Sequence, residues 1–111
     1  MPEHLNHYGY LFGGNMLKWV DEYAWIAATL DYPNRNLVTI GMDRVEFKQS
    51  IKEGAILKFE ISNKPHVGNT SLSYNVNVYN AKGEDVRKIV FSTIVTFVNV
   101  DENGKKKAIM R

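Results

Sequence analysis

A chain of 111 residues, 44% of them apolar and with no long polar run, has the size of one globular domain, residues 1–111, built around a single core. Its 14 basic and 12 acidic residues leave a formal charge of only +2, which lacks the basic field that nucleic-acid binding draws on. The absence of cysteine excludes thiolate nucleophiles, cysteine metal sites and disulfides, and is compatible with a reducing compartment. No stretch is long and apolar enough to cross a bilayer, and no basic segment leads into an apolar run at the start. A soluble, cytoplasmic protein without membrane insertion is the expectation.

The first element is a helix. At 100° per residue, Met16, Val20, Tyr23, Ala24, Ala27 and Leu30 share one broad apolar arc, with Leu17 and Ala28 on its margin. Gly13 and Gly14 precede this run. If the helix starts behind them, its first N–H groups are free to face a developing negative charge, and no Cβ blocks a ligand's approach. Asp21 lies just beyond the apolar margin, where two readings stand: a surface carboxylate beside Lys18, or a carboxylate held at the mouth of a cleft. Glu22 reads as an ordinary solvated acid. Lys18, Glu22 and Trp25 leave the helix little polar surface, so other structure is expected to wrap most of its girth. His4 and His7 have no further ligand to complete a local pattern, and no metal site is expected.

Residues 37–47, 56–62, 70–79 and 86–100 read as strands, separated by turn-forming residues at 52–54, 65–69 and 80–83. Short connections between consecutive strands predict an antiparallel sheet. Leu72, Tyr74, Val76 and Val78 alternate with Ser71, Ser73, Asn75 and Asn77, so this strand has one apolar face and one neutral polar face. In the last strand Ile89, Phe91, Val95 and Phe97 occupy one face, while Val90, Ile94, Val98 and Val100 occupy the other. One helix covers only one face of a sheet, so burial on both sides predicts a second copy of the chain. The run Lys105-Lys106-Lys107 reads as a solvated tail, and His66 as a surface residue.

Asn6-x-x-Gly9-x-x-Phe12-Gly13-Gly14, followed by an apolar helix with Asp21 in its second turn, resembles the hotdog-fold acyl-CoA thioesterases. The likeness continues through Leu37-Val38-Thr39, Val45-Glu46-Phe47, Glu53-Gly54, Gly68-Asn69-Thr70-Ser71 and Phe97-Val98-Asn99-Val100-Asp101 with Gly104, and so covers nearly the whole chain. It implies an α+β hotdog fold: an antiparallel sheet wrapped around one long central helix, assembled as a homodimer or a trimer of dimers. It also implies that Asn6 and Asp21 of one site come from different subunits. The family pattern has a further strand before the asparagine, which residues 1–5 are too few to supply.

Hydrolysis of a thioester needs an activated water or a nucleophile, donors for the tetrahedral oxyanion, and a surface for a large anionic thiol. Asp21 suits the first role, either as general base or by attacking the carbonyl to give an anhydride. Gly13 or Gly14 would offer a backbone N–H, and the Asn6 amide would orient water or substrate. By resemblance Thr39 places a hydroxyl near the carboxylate, although a β-branched residue in a strand also reads simply as a strand former. Gly68, Thr70 and Ser71 resemble the segment lining the coenzyme A channel, against a plain turn into a strand. Arg87 and Lys88 suit the coenzyme phosphates, against a solvated strand end. The expected partner is acyl-CoA, with coenzyme A as part of the substrate and no separate cofactor. A non-catalytic acyl-CoA-binding module is the alternative. Serine-hydrolase, P-loop and Rossmann motifs are absent from the sequence.

Overall fold

In the computed structural model the described residues are 2–48, 56–62, 65–81 and 88–110, with helix side chains described from Gly14 onward. A helix, α1, spans Pro2–Asp31 and is followed by five strands: β1 Leu37–Phe47, β2 Leu57–Ile61, β3 His66–Val67, β4 Ser71–Asn80 and β5 Ile89–Asn99. All strand pairs are antiparallel, in the order β1-β5-β4-β2, with the short β3 also on β4. The expected arrangement, one long helix against an antiparallel sheet, is therefore the one observed.

Met16, Val20, Ala24 and Ala28 recur every four residues and are fully buried. They form the stripe that an α-helix lays on a sheet. Facing them are Leu72, Tyr74, Val76 and Val78 of β4 with Phe91, Val95 and Phe97 of β5, all at 0% exposure. The alternation read along β4 is thus the core face of the sheet, and each such side chain contributes roughly 2 kcal/mol by leaving water. Tyr74 carries its hydroxyl through this core to the helix end, donating to Asp31 Oδ2 at 2.8 Å. A carboxylate is poorly placed at a helix C-terminus, and this donor offsets part of that cost.

Two irregularities bend β1. Thr39 pairs with Phe97 and Gly41 with Thr96, leaving Ile40 as an extra residue; Asp43 pairs with Ile94 and Glu46 with Ser92, leaving two residues opposite Thr93. Arg44 in the second bulge has φ 53. The nearly buried Thr93 fills the gap, its hydroxyl donating to the Asp43 carbonyl at 2.8 Å. Such bulges strengthen strand twist, which curls β1 around the helix.

Three sequence expectations are corrected. Helix α1 does not begin behind the glycine pair but runs through it from Pro2, so Gly13 and Gly14 stand inside the helix, where backbone N–H groups are spent on carbonyls four residues earlier. The segment taken as a plain turn holds β3, with His66 opposite Ser73 and Val67 opposite Leu72. The lysine run is not a free tail: the turn at Asp101, with Gly104 at φ +81, folds the chain back so that Lys106 bridges Val100 and the Lys107 N–H donates to the Asn99 carbonyl. A glycine takes that backbone angle without the strain a Cβ would bring. Ile109 is then drawn into the core at 1% exposure.

The outer face of the sheet carries Ser71, Ser73, Asn75 and Asn77 beside Ser92, Ile94, Thr96 and Val98. Val98 is 5% exposed and Ile94 half-buried, so the second face of β5 is apolar only in part. A hydroxyl pair, Ser73 with Thr96 at 2.9 Å, crosses its centre.

Candidate active site

Asp21 and Thr39 meet where the helix passes the start of β1. Thr39 lies on the same face of β1 as the buried Leu37, two residues earlier, and so points toward the helix. Its hydroxyl donates to Asp21 Oδ1 at 2.6 Å, the short separation of a charge-assisted bond. The Asp21 carboxylate is half-buried and lines an open hollow of about 440 Å³ with Glu22, Tyr23, Trp25, Ile26, Leu37 and Thr39. Apart from Asp21, Glu22 and Thr39, that lining is apolar. A second hollow of about 410 Å³ shares Tyr23 and Ile26 and continues over Ala27, Leu30, Phe59 and Ile61. The site thus offers an oriented carboxylate with an acceptor oxygen beside apolar surface, which suits attack on, or delivery of water to, the carbonyl of a substrate with an apolar tail.

The remaining candidates divide. Gly68, Thr70 and Ser71 form the turn into β4, where the Gly68 N–H donates to the Ser71 carbonyl at 2.8 Å and the Thr70 carbonyl accepts from Asn99 at 2.9 Å. A Cβ on Gly68 would lie 2.8 Å from Ser71 Oγ, so the turn closes tightly around this position. Ser71 pairs with Val98 and Val98 with Val38, one row from Thr39, which brings this turn to the same end of the sheet as Asp21. Lys88 does not join them. It precedes Ile89 at the other end of β5, nine residues and roughly 30 Å from the Phe97 that pairs with Thr39. Within one chain, therefore, Lys88 and the Gly68–Ser71 turn lie at opposite ends of the sheet. Arg87 and the Asn6 side chain lie outside the described residues.

Tyr23, Trp25 and Tyr74 could on the sequence either cap the pocket or lie elsewhere; Tyr23 and Trp25 line the cleft, whereas Tyr74 reaches Asp31 through the core. Trp25 makes the more specific contact. Its indole Nε1 donates to the Leu37 carbonyl at 3.3 Å and its ring lines the cleft. The signal was present in the spacing: a residue four after Asp21 lies only about 40° away around a helix, on the same flank. Among the described residues no group of three or more histidine or carboxylate side chains is placed to hold a metal ion. No described helix is long and apolar enough to cross a membrane.

A sequence profile of the thioesterase superfamily matches residues 8–87. The chain belongs to that superfamily. It is 31% identical over 115 residues to the uncharacterized acyl-CoA thioester hydrolase YkhA of Bacillus subtilis, covering 99% of this chain and 63% of that protein. Among solved structures, the hexameric hotdog-fold thioesterase Cj0915 of Campylobacter jejuni superposes with a TM-score of 0.70 at 35% identity, covering 87% of this chain and 74% of that one. An acyl-CoA hydrolase of Staphylococcus aureus, solved with butyryl-CoA, coenzyme A and coenzyme A disulfide, superposes with a TM-score of 0.72 at 29% identity, covering 87% of this chain and 56% of that one. The fold is the hotdog fold. This thioesterase-superfamily chain spans somewhat under two thirds of the length of the Bacillus relative.

Proposed function

We propose that this chain hydrolyses acyl-CoA to a free carboxylic acid and coenzyme A, with Asp21 as the reacting carboxylate. The observation that carries the reading is the Thr39–Asp21 hydrogen bond at the mouth of an apolar cleft. A carboxylate fixed by one donor keeps its other oxygen for chemistry, whether it removes a proton from water or attacks the carbonyl carbon itself. The names of the Bacillus and Staphylococcus proteins support the same substrate class. In this reading coenzyme A belongs to the substrate, and no separate cofactor takes part.

The assembly we propose is a dimer, or a trimer of dimers as the hexameric Campylobacter structure suggests. Tyr23, Trp25, Ile26 and Leu30 are 44–76% exposed around the helix, and Val38, Ile40 and Val45 are 42–58% exposed on the edge strand β1. So much exposed apolar side chain near one cleft favours cover by a second copy. Asn6 of the partner would then complete the site, in place of a glycine N–H at a helix start. In this reading the turn at Gly68, Thr70 and Ser71 takes part in binding the coenzyme, and Lys88, at the far end of β5 in its own chain, would serve a site of a neighbouring protomer. We assign the protein to fatty-acyl metabolism in the cytoplasm.

A thiol-release assay across acyl-CoAs from acetyl to palmitoyl tests the reading. Release with at least one chain length is expected; binding without release would support the acyl-CoA-binding alternative instead.

A further inference from the structure

One hydrogen bond between a helix and a strand is a pivot; two fix an alignment. Besides the Thr39–Asp21 contact, helix and strand are joined by the bond from Trp25 Nε1 to the Leu37 carbonyl. Asp21 and Trp25 are four residues apart, which is about 6 Å along a helix axis. Leu37 and Thr39 are two apart, which is about 6.6 Å along a strand. The two spacings match, so both rungs close together with helix and strand running in opposite directions.

The acceptor on β1 is available for this purpose. The Asn36 carbonyl accepts the Val100 N–H on the β5 side, and successive residues of a strand turn their backbone groups to opposite edges. The Leu37 carbonyl therefore faces the edge of β1 that no other described strand pairs with, and Trp25 supplies its donor there. Core filling does not account for the tryptophan, which is 46% exposed while the stripe beside it is buried.

We infer that Trp25 is a positioning residue: by holding Leu37 it keeps β1 at the height and angle that bring the Thr39 hydroxyl onto Asp21. The inference rests on the thioesterase reading of Asp21 given above. Trp25→Phe keeps an aromatic ring and removes the N–H. It should lower kcat roughly five- to tenfold, through lost alignment rather than lost binding, with KM changed less than about twofold. The decisive comparison is a double-mutant cycle with Thr39→Val. If Trp25 acts through Thr39, its replacement causes no further loss of kcat once the hydroxyl is gone. Independent, multiplying losses in the double variant, or a Trp25→Phe enzyme with wild-type kcat, would overturn the inference while leaving the thioesterase reading intact. A wild-type protein that releases thiol from no acyl-CoA would overturn both. A fold-level check uses the unmodified protein: the Trp25 indole proton, identified by its loss in Trp25→Phe, should exchange with solvent several times more slowly than a free indole. Exchange at the free rate would contradict the bond on which the inference stands.

Discussion

Thr39 Oγ1 donates to Asp21 Oδ1 at 2.6 Å, joining the second residue after Leu37 on the edge strand to the flank of the helix. The bond orients one carboxylate oxygen and leaves the other free. Thr39→Val keeps the shape and the β-branch but removes the donor. Because an oriented charged hydrogen bond is worth about 1.5 kcal/mol, kcat should fall roughly tenfold. Steady-state kinetics with an acyl-CoA, alongside a thermal melt showing a retained fold, would check this.

The helix from Met16 onward and the inner face of β4 were legible because their apolar residues repeat at the periods that burial on a sheet imposes: Met16, Val20, Ala24, Ala28 and Leu72, Tyr74, Val76, Val78. The start of the helix was not. Gly13 and Gly14 carry a weak helix propensity, and the sequence alone reads them as a boundary, whereas the chain continues helical back to Pro2. The C-terminal return was hidden for another reason. It depends on Arg35, whose guanidinium donates to the Ile109 carbonyl at 2.9 and 2.6 Å, and on Asn99, whose amide links Asn36 to Ala108. Bonds between residues so distant in sequence leave no local pattern. At the site, Asp21 stood out by its place on the helix flank and Thr39 by resemblance, and the bond between them is a tertiary fact that spacing along the chain does not encode.

Tyr74 supplies a pH-dependent prediction. Burial in the core, reinforced by its hydrogen bond to Asp31, pushes the phenol well above its ordinary value near 10. The group stays protonated in the folded state at pH values where it would ionise in the unfolded chain. Its contribution is therefore full below about pH 10 and is lost as pH rises above that value, through the raised folded pKa. Tyr74→Phe should cost about 1 kcal/mol at neutral pH and show a shallower alkaline decline than wild type. Denaturant unfolding at pH 7, 9 and 11 would measure both effects.

Assembly and chemistry are linked through Asn6. If Asn6 of one subunit serves the Asp21 of its partner, mixing inactive Asn6→Ala chains with inactive Asp21→Asn chains creates heterodimers with one intact site each. Random pairing makes half the dimers mixed, so recovery should approach about a quarter of native activity. Light scattering should find a dimer or larger before mixing, and subunit exchange must be demonstrated. No recovery under those conditions would place both residues in one chain or remove one of them from the site.

Asp21→Asn is the most direct measurement of the central claim. The substitution nearly preserves volume and leaves Oδ1 as an acceptor for Thr39, but an amide is neither a general base nor an anionic nucleophile. Glu22→Gln, one residue on and fully outside the Thr39 contact, is the matched control. Asp21→Asn should melt close to the wild type and lose at least about 100-fold in kcat, the ordinary scale of a general base, while Glu22→Gln retains most of its turnover. An Asp21→Asn enzyme that releases thiol from acyl-CoA at the native rate would contradict the account.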